Sequence, residues 1–249
     1  MGKRFTLLLI LCFFSLISTG GLYAQSVAEN SLQKNAMNNA VSLYHTSLGE
    51  QSQLYKGPEY YFYNPTFKGN AYFLDVNAFT TGSVFYDGVL YTGVPMLYDL
   101  YAEKIAVLLF DHYNKYSLLN ERVKYFKFLD HNFINISADS LGSNTDIKPG
   151  FYDVLYQGKL QVLAKRAKDI QTTGGATTVP ESYFNLTTRL FLKKGNHYLS
   201  ITGKRSMLDA LKDRKKEIQQ YIRSKRLKFR KEPEAAMVEI ATYYDHLTN

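Results

Sequence analysis

Short apolar runs separated by polar turns fill the middle of the chain, from about residue 55 to residue 201. The strongest local signal is Asp87-Gly88, which lies between the apolar runs 84–86 and 89–91. Asp-Gly between two β-forming runs is typical of a type I′ hairpin, because glycine tolerates a positive φ. Two further hairpins are predicted at residues 151–164 and 189–201.

The spacing of these runs predicts roughly ten strands in an antiparallel β-meander that is curved or partly closed. Two polar stretches, residues 139–149 and 170–179, hold Gly, Ser, Thr, Asn and Pro, and they predict mobile loops.

The apolar pattern changes to a helical period after residue 203. Ser206 and Asp209 have capping-box spacing and predict a helix that starts at Ser206 and ends near Ser224. Its apolar face consists of Leu208, Leu211, Ile218, Tyr221 and Ile222. Pro233 suits the first turn of a second helix. The two apolar faces predict a helical pair that packs on itself and on the sheet, so the fold class is α+β.

The chain begins with the layout of a secretory signal peptide. Met1–Arg4 carries two positive charges, residues 5–17 are almost wholly apolar, and small residues lead to Ala24. A membrane span needs about 20 apolar residues, so this run favours export and cleavage after Ala24. The predicted organisation is a signal peptide at 1–24, a helical segment at 25–54 with a short helix at 31–48, a β-rich body at 55–203 and the helical pair at 204–249.

Cysteine and charge narrow the possible chemistry. The single cysteine, Cys12, lies within the signal peptide, so the mature chain has no thiol for a disulfide, a metal or a nucleophile. The chain has a net charge of +8, to which Lys3 and Arg4 in the signal contribute +2. Residues 204–231 hold 12 basic and 3 acidic residues, a net charge of +9, so the rest of the mature chain carries −3. The basic character therefore belongs to one segment.

Several runs resemble a family of exported proteins common in Bacteroidota. They are residues 204–208, 213–218, 225–229 and 243–245, together with the hairpin 86–91 and its continuation through Asp99. The family is uncharacterised, so the resemblance implies an envelope compartment and transfers no catalytic residues. It covers most of the mature chain and depends on patterning more than on a chemical motif.

Catalytic and metal-binding motifs are not found in the sequence, and neither a metal nor another cofactor is expected. The five histidines are far apart in the chain, and three of them directly follow an aspartate. Adjacent residues of a strand point to opposite faces, so these pairs do not predict a site. Asp75, Asp87, Asp99 and Asp111 recur every 12 residues, and carboxylates on one edge of a sheet could bind calcium or act as acid and base. Twelve residues is also the length of a strand with its turn, and Asp is a favoured turn residue, so the turn interpretation is preferred.

The best candidate site is the basic helix. Its predicted anion-binding residues are Lys212, Lys216, Arg223, Arg226, Arg230 and Lys231. The leading hypothesis is an exported, non-enzymatic binding protein of the cell envelope that holds an apolar ligand or a partner peptide between sheet and helices. The first alternative is docking of residues 204–231 on anionic lipid, lipopolysaccharide or an acidic protein. A carboxylate-based hydrolase is the third. Export argues against nucleic acid as the partner, and no membrane span is expected in the mature chain.

Overall fold

The computed structural model describes residues 36–37, 39–40, 43–44, 47, 53–109, 111–141, 147–175 and 179–248. The chain divides into two compact units, residues 1–48 and 49–249. The described residues of the first unit are helical and fall within the helix predicted at 31–48. The predicted signal peptide at 1–24 lies outside the described residues.

The second unit contains one ten-stranded antiparallel sheet followed by three helices, which confirms the predicted α+β class. The strands are β1 (Thr80–Tyr86), β2 (Val89–Asp99), β3 (Lys104–Leu108), β4 (Lys115–Ser117), β5 (Val123–Phe128), β6 (His131–Ile136), β7 (Gly150–Gln157), β8 (Leu160–Thr173), β9 (Glu181–Lys194) and β10 (His197–Ile201). The helices are α1 (Lys204–Ala210), α2 (Lys215–Ser224) and α3 (Pro233–Leu247).

The strand order is β10-β9-β8-β7-β6-β5-β1-β2-β3-β4, and the sheet is not closed. A simple meander would place β5 beside β4. Instead β5 pairs with β1, with Val84 opposite Phe126, so two meanders share one sheet. Both of these side chains are fully buried, which places the junction inside the main apolar cluster.

The hairpin at Asp87-Gly88 has the predicted form. Asp87 has φ +52° and Gly88 has φ +83°, and Tyr86 pairs with Val89 across the turn. Positive φ at both central residues defines the type I′ turn, whose twist matches that of the two strands it joins.

The prediction of a loop at residues 170–179 is wrong for its first four residues. Strand β8 continues to Thr173, and Ile170 lies opposite Phe184 of β9. The other edge of β9 also has a partner here, because the amide of Lys68 donates to the carbonyl of Ser182 and the amide of Phe184 donates to the carbonyl of Lys68. Backbone pairing on both sides holds this part of the hairpin in the sheet, although its sequence lacks an apolar face.

The first predicted C-terminal helix differs in its start and its continuity. Gly203 is the N-cap, and Ser206 is the third helical residue, where its hydroxyl accepts a hydrogen bond from the Gly203 amide at 3.1 Å and donates one to the Gly203 carbonyl at 2.9 Å. The helix is then broken at Leu211, with φ −109° and ψ +46°. Leu211 stays fully buried, so the bend keeps the apolar residues of α1 and α2 on the sheet.

The three helices cover one face of β8 and β9. Their apolar side chains form one buried cluster with Leu160, Val162 and Leu192 of these strands. A second cluster, built on β1, β2, β3, β5 and β6, forms the main core. A third lies on the opposite face of β7–β9 and includes Tyr152, Leu163 and Phe191.

Candidate functional site

The six residues predicted to bind anions are all exposed. Lys212 lies in the short 3-10 turn between α1 and α2, Lys216 and Arg223 lie on α2, and Arg226, Arg230 and Lys231 follow it. Together they are called the basic surface below. None of the six has an ion-pair partner among the described residues.

The opposite side of α2 explains this exposure. Ile218 and Ile222 are buried against the sheet and against Met237 and Ile240 of α3. The ring of Tyr221 stacks on Tyr243 with 3.9 Å between centroids. Because the apolar side chains of α2 are buried in the protein, the side chains on its solvent-facing side are polar and cationic.

Each of the three acidic residues in the segment 204–231 already forms an ion pair with a lysine or an arginine. Asp209 accepts from Lys215 at 3.1 Å, and Glu217 lies 3.4 Å from Arg214. Asp213 binds a cation outside the segment, Lys194 of β9. Within the described part of the chain, ten of the twelve basic residues of the segment therefore have no ion pair.

Asp213 also accepts a hydrogen bond from the phenol of Tyr244 on α3 at 2.7 Å. Partial burial opposes the charged carboxylate, but the hydrogen bonds from Lys194 and Tyr244 outweigh it and lower the pKa of Asp213. This acid therefore holds α3 and β9 together and is not available to neutralise the basic surface.

A shallow depression adjoins the basic surface between α1 and the start of α2. It has a volume of about 380 Å³ and is lined by Lys204, Arg205, Leu208, Asp209 and Lys215. Lys215 is held by Asp209, whereas Lys204 and Arg205 have no ion-pair partner among the described residues. A concave site with three cations and one acid has the charge balance to receive a phosphate group.

Arg226 occupies the left-handed position after α2, where a helix that ends in this way usually has glycine. It follows α2 with φ +52°, and the amide of Leu227 bonds back to the carbonyl of Ile222 at 3.1 Å. This is the hydrogen-bond pattern of a Schellman motif, in which a left-handed residue ends the helix. A residue with a Cβ is strained at this φ, so arginine at residue 226 lowers the stability of the fold relative to glycine.

The contact between sheet and helices, where the sequence predicted an apolar ligand, is filled by side chains of the chain itself. Met207, Leu211, Ile218, Met237 and Ile240 are each fully buried there against β8 and β9. The ligand-holding hypothesis stays a prediction, and the packing of these residues gives it no support at that place.

Folding also assembles a polar network that the sequence did not predict. Asp153 of β7 is buried, accepts from Arg166 at 2.9 Å and lies 2.8 Å from Nδ1 of His131. Arg166 makes two more hydrogen bonds to Glu234 of α3, at 2.8 and 2.9 Å. Burial disfavours the charged guanidinium, but the two carboxylates outweigh burial and raise the pKa of Arg166. The network joins α3 to the sheet, and its four members come from four different elements.

The four periodic aspartates, Asp75, Asp87, Asp99 and Asp111, lie in or directly beside turns, as the turn interpretation expects. Asp99 is fully buried and accepts hydrogen bonds from the phenols of Tyr60 and Tyr63 at 2.8 and 2.7 Å. It also accepts from the amides of Tyr101 and Ala102, which satisfies both of its oxygens. Burial raises the pKa of both phenols, so they stay protonated as donors. Asp99 therefore has a structural role.

Among the described residues, no group of three or more His, Cys, Asp or Glu side chains is placed to hold a metal ion. In the same residues no helix has the length and apolar character needed to cross a bilayer. Comparisons with protein-family models, with curated proteins and with solved structures gave no match for this chain.

Proposed function

We propose that this protein is an exported, non-enzymatic protein of the cell envelope that docks on a phosphate-bearing lipid surface through residues 204–231. One observation carries the proposal: every acid of the segment is engaged, two within it and Asp213 with β9, while ten of its cations have no ion pair in the described chain. A solvated helix face with balanced charges would carry about as many acids as cations, whereas this segment has three acids and twelve cations.

The expected mode of docking is electrostatic. Each Lys or Arg near an anionic membrane surface contributes about 1 kcal/mol, and the attraction fades within a Debye length of about 10 Å at 0.1 M salt. Insertion of α2 into lipid is not expected, because Ile218 and Ile222 are already buried within the protein. The depression lined by Lys204, Arg205 and Lys215 suits a single lipid phosphate.

The proposed compartment depends on the sequence of residues 1–24, which has the layout of a secretory signal peptide. In the envelope of a bacterium such as the one that the resemblance implies, two lipids present phosphates: anionic phospholipids and lipopolysaccharide. Both share the chemistry that the basic surface would recognise.

Cosedimentation tests the proposal. Purified protein would be spun with vesicles of phosphatidylcholine, with vesicles that also contain phosphatidylglycerol, and with lipopolysaccharide aggregates, at low and at physiological salt. We expect binding to one or both anionic preparations, little binding to phosphatidylcholine, and a marked loss of binding as salt rises. Equal binding to neutral and anionic vesicles, or no binding to either anionic preparation at low salt, would contradict the proposal.

Charge reversal locates the surface. Replacement of Lys216, Arg223 and Arg226 by Glu should abolish binding and leave the fold intact, since exposed charges contribute little to stability. The matched control replaces three exposed lysines outside residues 204–231 by Glu, namely Lys56, Lys124 and Lys127. If the control loses binding as much as the test variant, net charge alone drives the attraction and no specific surface exists. If the wild-type protein ignores lipid but binds an acidic protein, the partner is a protein.

A further inference from the structure

A second site lies on the face of the sheet that the helices do not cover. It is a pocket of about 290 Å³ over β7, β8 and β9. Two aromatic side chains line it from below: Tyr152 and Phe191 are 1 % and 4 % exposed, and their rings meet edge to face with 5.7 Å between centroids. The ammonium of Lys165 lies over the Tyr152 ring, 4.9 Å from its centroid. This volume is at the lower end of the range for small-molecule pockets.

The space exists because two small side chains face each other. Ala167 of β8 lies directly opposite Thr187 of β9, and both line the pocket. The neighbouring pair on the same face is Lys165 and Arg189, whose long side chains form one wall. A larger side chain at residue 167 would occupy the space beside the two aromatic rings.

The wall has an unbalanced positive charge. Lys165 and Arg189 are like charges directly opposite each other on adjacent strands, which is destabilising unless something offsets it. Glu103 forms an ion pair with Lys165, but Arg189 has no ion-pair partner in the described chain. Lys148, also at the pocket and exposed, has none there either.

Neither of the two nearby oxygen groups forms an ion pair with Arg189 or Lys148 in the described chain. The phenol of Tyr152 donates to the carbonyl of Lys148 at 2.6 Å, and burial raises the pKa of Tyr152 to about 12, so it is neutral. The carboxylate of Asp169 also lines the pocket and accepts hydrogen bonds from the side-chain amides of Gln171 and Asn185 at 3.1 Å each. It is one acid among four lining cations, so the lining keeps an excess of positive charge.

We propose that this pocket binds a small aromatic carboxylic acid, whose ring packs beside Ala167 and against Phe191, next to the Tyr152 ring that Lys165 covers, and whose carboxylate bonds to Arg189 and Lys148. The two aromatic side chains select a flat apolar body, since offset and edge-to-face ring contacts are favourable. Arg189 selects the acid, because a guanidinium and a carboxylate match in both charge and geometry. This inference is independent of the lipid docking proposed above, because the pocket shares no residue with the basic surface.

The absence of tryptophan from the chain makes the test direct. Indole-3-acetate serves as the probe, and its fluorescence is excited at the red edge where tyrosine does not absorb. We expect saturable binding of indole-3-acetate and about tenfold weaker binding of indole-3-acetamide, which keeps the ring and loses the charge. Equal affinity for the two probes, or no saturable binding of the acetate, overturns the proposal.

Two variants locate the binding. Arg189→Gln should weaken the binding of indole-3-acetate about tenfold and leave the binding of the amide unchanged, whereas Arg122→Gln, the same change at an exposed residue outside both proposed sites, should alter neither. Ala167→Ile should abolish the binding of both probes. Because residue 167 is exposed in a strand, isoleucine should be tolerated there.

A thermal melt checks the fold of each variant. If Ala167→Ile fails to fold, Arg189→Gln decides alone, and unchanged affinity in that variant overturns the proposal. Cosedimentation of Arg189→Gln with anionic vesicles should match that of the wild type, which keeps the two proposals separable.

Discussion

The phenol of Tyr244 donates a hydrogen bond of 2.7 Å to the carboxylate of Asp213. Lys194 binds the other oxygen of that carboxylate, so one acid in the turn between α1 and α2 joins the last helix to β9. Protonation would place a hydrogen on one of these two oxygens and weaken the bond that it accepts, so we expect the attachment of the helices to depend on pH.

Acid should weaken this attachment. The pKa of Asp213 is lower in the folded protein than in the unfolded chain, so Asp213 stabilises the fold above the ordinary Asp pKa of about 3.9. That contribution is lost as the pH falls through the lowered pKa of the folded state. Urea unfolding measured between pH 6 and about pH 3 should show a shallower acid dependence in Asp213→Asn than in the wild type. Asp139→Asn, at an exposed site, is the control. Parallel pH profiles of wild type and Asp213→Asn would rule out this role.

The hairpin between β1 and β2 should depend on its glycine. No atom lies within 4 Å of the place where a Cβ on Gly88 would stand, so the penalty for a side chain there comes from the backbone alone. We expect Gly88→Val to cost roughly 1–3 kcal/mol, because valine is strongly disfavoured at φ +83°. Gly88→Asn should lose much less stability than Gly88→Val, since asparagine tolerates this conformation. Thermal melts compare the three proteins, and equal losses for valine and asparagine would mean that φ is not the cause.

The buried side of α2 should contribute strongly to stability. Ile218 is fully buried among Met237, Ile240 and the sheet, so Ile218→Ala should cost roughly 1–4 kcal/mol through lost burial and the cavity that it leaves. Gln220→Ala, on the exposed side of the same helix, should change stability by less than about 0.5 kcal/mol. Chemical denaturation measures both. A small effect at residue 218 would show that α2 does not pack on the sheet as described.

Arg226 allows stability and docking to be separated in one variant. Arg226→Gly should raise the free energy of unfolding by about 1 kcal/mol, because glycine adopts the left-handed conformation without strain. The same change removes one cation of the basic surface and should weaken cosedimentation with anionic vesicles. Greater stability with unchanged lipid binding would exclude Arg226 from the docking surface. Lower stability would mean that its side chain has a structural role.

The parts of the fold that sequence predicted correctly are those set by neighbouring residues. Asp87-Gly88 specifies its turn through two adjacent dihedral preferences, and the apolar spacing of α2 and α3 specifies which side is buried. The return of β5 to β1 depends on contacts between distant segments, and no local signal encodes it. The bond from Asp213 to Lys194, and the network of His131, Asp153 and Arg166, likewise require the folded chain. The pocket at Ala167 and Arg189 was missed because its members look ordinary in sequence, and only the register of β8 against β9 places them opposite each other.

The strand order has a consequence for how the chain reaches its structure. Every neighbouring pair in the sheet joins strands that are consecutive in sequence, except β1 and β5. The hairpins on each side close short loops at little entropic cost, whereas the β1–β5 pairing brings together segments that are separated by three other strands. We therefore expect two locally folded halves to meet at Val84 and Phe126 in the slowest step. The refolding rate should then be most sensitive to substitutions at these two residues, while changes in the outer hairpins act mainly on the unfolding rate.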